Sequence, residues 1–191
     1  MIKNINKKIP SWIWVCLFII IGVLSRWVDH APNITPIVGI ALFTTYMWKI
    51  SHSAIFTVLT LFLSNLIFGY DFDMVQLSVY IGLLFPSFVG IFLKNINSIY
   101  KKYISIVGLS LLSSTFFYVI TNFAVWLWSG MYEHTINGLL LCYEMAIPFF
   151  RNTVIGDLFS SLLLFGVYDL SKIFIKNNDL SKSQITTTKL V

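Results

Sequence analysis

Charge is scarce in this chain of 191 residues: only 11% are Asp, Glu, Lys or Arg, against about 25% in an ordinary soluble domain. Apolar residues make up 57%, and the mean hydropathy is +0.81. No aqueous fold of this length hides so much apolar surface, so lipid must cover much of it. Cysteine is scarce as well. Cys16 and Cys142 both lie inside apolar runs, which reads as packing rather than a disulfide or a metal pair. Two lone outer histidines, His30 and His134, make no metal site. There is no Gly-rich phosphate loop, so the chain does not hydrolyse ATP alone. There is also no H-E-x-x-H or G-x-S-x-G, no visible inverted repeat, and no linker, soluble domain or low-complexity tract. No cofactor is expected.

What the chain does have is hydrophobic length. Six apolar segments run from Ser11 to Val28, Ile34 to Ile50, Ser53 to Tyr70, Met74 to Leu93, Ile104 to Trp128 and Gly138 to Leu170. A membrane helix needs about 20 residues, and the first five fit. The sixth is too long for one straight span, and Pro148 lies inside it, so a break or kink is expected there. The expected fold is an all-α integral membrane protein of about six transmembrane helices, its last segment broken at Pro148. Residues 1–10 form a cytoplasmic segment, 11–170 the membrane domain, and 171–191 a cytoplasmic tail that frays from Asn177. The basic N-terminus suggests a signal peptide, but Ser25-Arg26-Trp27 offers no small-x-small cleavage pattern, so the first helix is read as uncleaved.

The net charge of +5 suggests a nucleic-acid partner until its distribution is followed. With the N-terminus in the cytoplasm, all eleven lysines fall on the cytoplasmic side, while Asp29, Asp71, Asp73 and Glu133 fall outside. That is the positive-inside pattern, and a missed or extra helix would scatter the lysines. The expected location is the bacterial cytoplasmic membrane, with both termini inside, lipid as partner and no nucleic acid.

Polar side chains are costly in a membrane and usually face the protein interior. Here they are Arg26, Asn65, Asn122, Glu144, Arg151, Asn152 and Asp157. All but Asp157 map to the outer half, and the inner halves read as almost purely apolar. This looks like a pocket open to the outside rather than a channel, since no polar stripe reaches the cytoplasm. The same side chains also suit helix-to-helix bonding, at about even odds for any single Asn. Glu144 and Arg151 are two turns apart, and a break at Pro148 would bring them closer. In the first outer loop Asp29, His30, Asn33 and Thr35 either cap helix 2 or close over a solute. Trp126, Trp128, Tyr132 and Tyr143 suit interfacial anchoring, with one or two available to stack on a ring. Small residues at helical spacing (Gly82, Pro86 and Gly90; Ser110 and Ser114; Gly156 and Ser160) suit close helix packing or a partner protein.

Two stretches carry a resemblance. One is Arg26-x-x-x-His30-x-Pro32-Asn33-x-Thr35-Pro36 through Ala41-Leu42-Phe43. The other runs from Thr121-Asn122-Phe123-Ala124-Val125-Trp126, through Gly130-Met131-Tyr132, to Pro148-Phe149-Phe150-Arg151-Asn152-Thr153, Gly156-Asp157 and Leu164-Phe165-Gly166. Together they resemble a bacterial membrane-protein family described only as a domain of unknown function. Ala31 and Gly39 depart from its pattern, where proline and alanine are expected. In size, helix count and topology that family is similar to the S components of energy-coupling-factor vitamin transporters, a likeness of layout and not of motif. The likeness implies a solute-binding subunit without enzymatic activity, taking a vitamin-like small molecule. Its implied partners are a coupling membrane protein and two ATPases. The implied site draws on Arg26, His30, Asn33, Asn65, Asn122, Trp126, Glu144, Arg151, Asn152 and Asp157, with the first outer loop as a lid. Two other readings stay open: a membrane enzyme acting on a lipid or isoprenoid at the outer face, through Asp157, Glu144 or His30, and a ligand-free scaffold.

Overall fold

A computed structural model describes residues 10–27, 33–69 and 72–188, with side chains for 10–26, 33–69 and 72–174. Among them every regular element is helical: α1 (Ser11–Trp27), α2 (Ile37–Met47), α3 (Ile50–Phe68), α4 (Met74–Val89, continued by a 3-10 turn over Gly90–Leu93), α5 (Ile99–Trp128) and α6 (Ile136–Thr188). The helices correspond one to one with the six apolar segments. Four of them, α3, α4 with its 3-10 turn, α5 and α6 as far as Phe174, are long and apolar enough to cross a membrane. The end with the α3–α4 and α5–α6 connections is called the upper end here, and the end with the α2–α3 and α4–α5 connections the lower end.

α2 departs most from expectation. It has only 11 residues, about 16 Å of helix at 1.5 Å per residue, too short by itself for a bilayer core of about 30 Å. Residues Ile37 to Thr45 are all buried. A helix apolar on every side belongs in the middle of a bundle, and α2 packs against all five other helices. Its approach to α6 is backbone-close: a Cβ on Gly39 would stand 2.5 Å from Ser160 Oγ and 2.6 Å from Ser161 N. The lead-in to α2 passes Gly156 as closely, where a Cβ would stand 3.1 Å from Ile34 Cα. Neither Asn33 nor Thr35 caps α2; its N-cap position is Pro36, with no side-chain cap.

α6 corrects the expected break. It is one helix of 53 residues with Pro148 inside it, continuing as helix through the stretch expected to fray. Proline removes one N–H and crowds the carbonyl four residues earlier, here that of Glu144, so it bends a helix without necessarily ending it. The pairing with α5 changes at that point. Lys102–Asp169, Ser110–Ser161 and Ser114–Asp157 keep one antiparallel register. Beyond them Tyr118 Oη donates to Tyr143 O (2.6 Å), and Cys142 Sγ donates to Asn122 O (3.4 Å), partners well ahead of that register.

The core is aromatic and hydroxylic. Phe43 meets Phe18, Phe165 and Tyr168 edge-on, and Phe85 stacks on Phe116 at 4.2 Å. Ser53 Oγ bonds Ala41 O (2.8 Å) and Ser87 Oγ (2.7 Å), and Thr45 Oγ1 donates to Ser87 O (2.9 Å), tying α2, α3 and α4 in the lower half. This corrects the expectation from hydropathy that the lower half is almost purely apolar. Short hydroxyls lower the local average little and bond backbone carbonyls or one another inside, although Thr44, Thr57 and Thr60 carry buried hydroxyls without a protein partner. The small-residue faces are used within the chain: Gly82 admits Phe117, and Ser110 and Ser114 bond α6. Of the cysteines, Cys142 is buried as expected, whereas Cys16 is exposed.

Candidate functional site

A cavity of about 210 Å³ lies in the upper half between α4, α5 and α6. α4 contributes Val75 and Val79; α5 contributes Phe117, Tyr118, Thr121, Asn122 and Val125; α6 contributes Ala146, Phe149, Phe150 and Thr153; and Asn33 completes the wall. The α5 residues recur at intervals of three and four, which sets them on one helix face. α4 is anchored beside the cavity by Asp73, which accepts from Gln76 N at 2.6 Å as an N-cap. On the α6 side the wall straddles Pro148. Asn33 adopts φ 66, a left-handed conformation that Asn tolerates better than most residues.

The wall carries no charge. Asn122 Nδ2 donates to Tyr118 O (2.8 Å), and an amide has a second N–H and a carbonyl oxygen besides. Thr121 and Thr153 donate to Phe117 O and Phe149 O, so a solute would meet them chiefly as acceptors. Tyr118 and Phe150 lie with ring centroids 4.6 Å apart. The arrangement suits a small neutral solute with a ring and one or two polar atoms.

The expected site divides. Asn33 and Asn122 line the cavity. Trp126, one turn above Asn122, donates Nε1–H to Glu133 O (2.9 Å) and touches Phe123 and His134, so it fastens the α5–α6 loop to α5. Asn65 sits elsewhere: its Nδ2 donates to Tyr80 Oη at 3.4 Å, and its buried Oδ1 has no protein partner. Arg26 and Asn152 are half-buried, each engaged in an interaction. Glu144 and Arg151 are both exposed and do not pair. On an unbroken helix their seven-residue spacing is about 10 Å of rise, which the expected break would have shortened. Asp157 is 2% exposed and accepts from Ser114 Oγ (2.6 Å), one turn below Thr153 and outside the cavity wall. His30 lies outside the described residues.

Sequence reasoning passed over Phe117, Tyr118, Phe149 and Phe150. Only their recurrence on facing helices marks them, a weak signal where 17% of residues are aromatic. It also passed over Asp169, whose Oδ2 bonds Lys102 Nζ (2.5 Å) and Tyr103 Oη (3.1 Å) at the lower end.

These features define a class: a six-helix bundle with at least four helices fit to cross a membrane and a neutral cavity near one end. The chain belongs to DUF6580, a family of unknown function, which matches residues 6–178 and so takes in the whole cavity. No curated protein matches it, and no solved structure does.

Proposed function

We propose that this chain is a multi-pass protein of the bacterial cytoplasmic membrane that captures a small, neutral, ring-bearing solute at its outer end, as the solute-binding subunit of an importer. The observation that carries the reading is the uncharged cavity of about 210 Å³ walled by Asn33, Asn122 and four aromatic rings. An apolar cavity of about 150 Å³ in another protein accommodates benzene, so this one suits roughly one ring with short substituents. On this reading the size, the helix number and the pocket near one end are the layout expected of an S component. A coupling membrane protein and two ATPases are the partners this reading calls for, since the chain carries no phosphate loop of its own.

The membrane part of the proposal is supported by large apolar side chains exposed along the long helices, among them Leu66, Phe88, Phe159 and Leu163. Such a surface is untenable in water. The lysine distribution supports a cytoplasmic lower end with both termini on that side. α2 completes a crossing together with its non-helical lead-in, which is packed on α6 at Gly156. Irregular backbone is tolerated at membrane depth where protein covers it. No observation favours the enzyme reading: Glu144 is exposed, while Asp157 is buried 13 residues further along the same helix.

The test is native mass spectrometry of tagged protein extracted gently from its own membranes, beside Ala146→Trp. Ala146 is 7% exposed and lines the cavity, so an indole there fills it. A small molecule retained by the parent and lost from the variant, with both folded, is the expected result. Equal retention by a folded variant, or a parent that carries nothing, sinks the proposal.

A further inference from the structure

The lower end holds a second cavity, a wide-open surface depression of about 330 Å³ lined by Tyr46, Met47, Lys94 and Tyr168. Its surroundings differ in kind from the upper one. Lys172 Nζ stands 4.3 Å from the centroid of the Tyr168 ring. Lys102 Nζ stands 5.9 Å from that of Tyr46. Phe165 packs beneath Tyr46, with centroids 5.2 Å apart, and fixes the floor. Three ammonium groups thus surround two tyrosines, with one carboxylate among them. That carboxylate, Asp169, is already engaged by Lys102 and Tyr103 through the same oxygen. Lys94 donates one N–H to Trp48 O (2.7 Å), and an ammonium has two more.

We propose that this lower cavity binds a phosphate-bearing anion between Lys94 and Lys172. The excess of two positive charges excludes a cationic ligand. The two ammonium groups come from separate elements, Lys94 lining the cavity after the 3-10 turn and Lys172 on α6 beside the lining Tyr168. A tetrahedral phosphate presents oxygens in several directions, whereas a carboxylate presents two in one plane. Lysine serves phosphate as a point charge, and the two phenols supply neutral O–H donors. Apolar surface is also exposed next to Lys172 in the chain, at Ile173 and Phe174. A phospholipid headgroup and a free phosphate compound share the required chemistry. The inference does not rest on solute capture at the upper end; only the lipid source requires the membrane reading.

The full chain in neutral detergent is titrated with phosphatidylglycerol, with phosphatidylcholine of the same acyl chains, and with inorganic phosphate. Thermal unfolding is followed by tryptophan fluorescence. Each lysine near an anionic surface contributes about fivefold in affinity. The double variant Lys94→Gln/Lys172→Gln is therefore expected to bind phosphatidylglycerol about 30-fold more weakly, while Lys101→Gln, an exposed lysine of α5 that does not line the cavity, binds as the parent does. Phosphatidylglycerol binding lost in the double variant supports the site with a lipid ligand. Stabilisation by phosphate alone, lost in the same variant, supports it with a soluble one. Lys172→Gln alone, expected to weaken binding about fivefold, serves if the double variant does not fold. Equal binding of both lipids with no effect of phosphate overturns the proposal, and so does a folded variant that binds as the parent does.

Discussion

The two ends of this bundle solve the same problem in opposite ways. Both hold polar groups among apolar helices. The upper cavity does it with an amide and hydroxyls that bond to their own helix, while Glu144 and Arg151 on the same stretch of α6 stay on the outside. The lower end takes charge inside: Lys102 and Asp169 are 8% and 13% exposed and bond each other. A neutral wall leaves its remaining donors and acceptors free for a guest. A buried ion pair spends its bonds on itself and becomes part of the scaffold. Under the two proposals, binding at the upper end rests on shape and neutral hydrogen bonds, and at the lower end on the lysines that the pair leaves over.

The sharpest way to break this contrast is Lys102→Met. It takes the ammonium partner from Asp169, leaving the Tyr103 hydrogen bond in a mostly buried site, and the loss of one partner of such a pair costs up to about 3–5 kcal/mol. The expected outcome is a large fall in unfolding midpoint in detergent, partly recovered by adding Asp169→Leu. A Lys102→Met protein as stable as the parent would make the lower pair ornamental. Ser114→Ala is next. It removes the hydroxyl that bonds Asp157 Oδ2 between the two ends, and an unsatisfied buried group costs about 1–3 kcal/mol. The same unfolding assay reads it.

At the upper end the effects move from stability to binding. Asn122→Leu keeps the bulk of the wall and removes its amide, so retention of the co-purified solute is expected to fall about tenfold, the worth of one hydrogen bond of about 1.4 kcal/mol. Solute occupancy by native mass spectrometry measures this. The smallest effect is expected from Arg151→Ala: occupancy within about twofold of the parent and stability within about 0.5 kcal/mol, the range of exposed substitutions. A loss of binding there would put charge back into the upper site and erase the difference between the ends.

That last expectation reverses what the sequence suggests. An arginine and a glutamate beside a proline in an apolar segment read as a costly pair with a purpose. What defeats the reading is rotation. Each residue turns a helix by about 100°, so depth along the segment follows from counting, whereas facing depends on which side the neighbours occupy. Asn122 and Arg151 sit at similar depth, yet one points into the cavity and the other away. Asp169 went unnoticed for the complementary reason: near a helix end it looks like an ordinary solvated carboxylate until Lys102 and Tyr103 are seen to converge on it.

By itself the sequence determined the number and order of the helices, the apolar character of the bundle, the segregation of lysines, and a family resemblance carried by Asn122, Pro148 and Arg151–Thr153. These follow from local composition and spacing, which hydrophobic periodicity and charge position report directly. Only the tertiary structure decided that α2 is short and wholly enclosed, that α6 runs through Pro148 unbroken, and that the upper cavity is walled by aromatics and amides with Glu144 and Arg151 outside. Each of those depends on contacts between segments far apart in the chain. A proline has two outcomes in a helix, and an apolar segment can face lipid or core; the neighbours that choose between them lie elsewhere in the sequence.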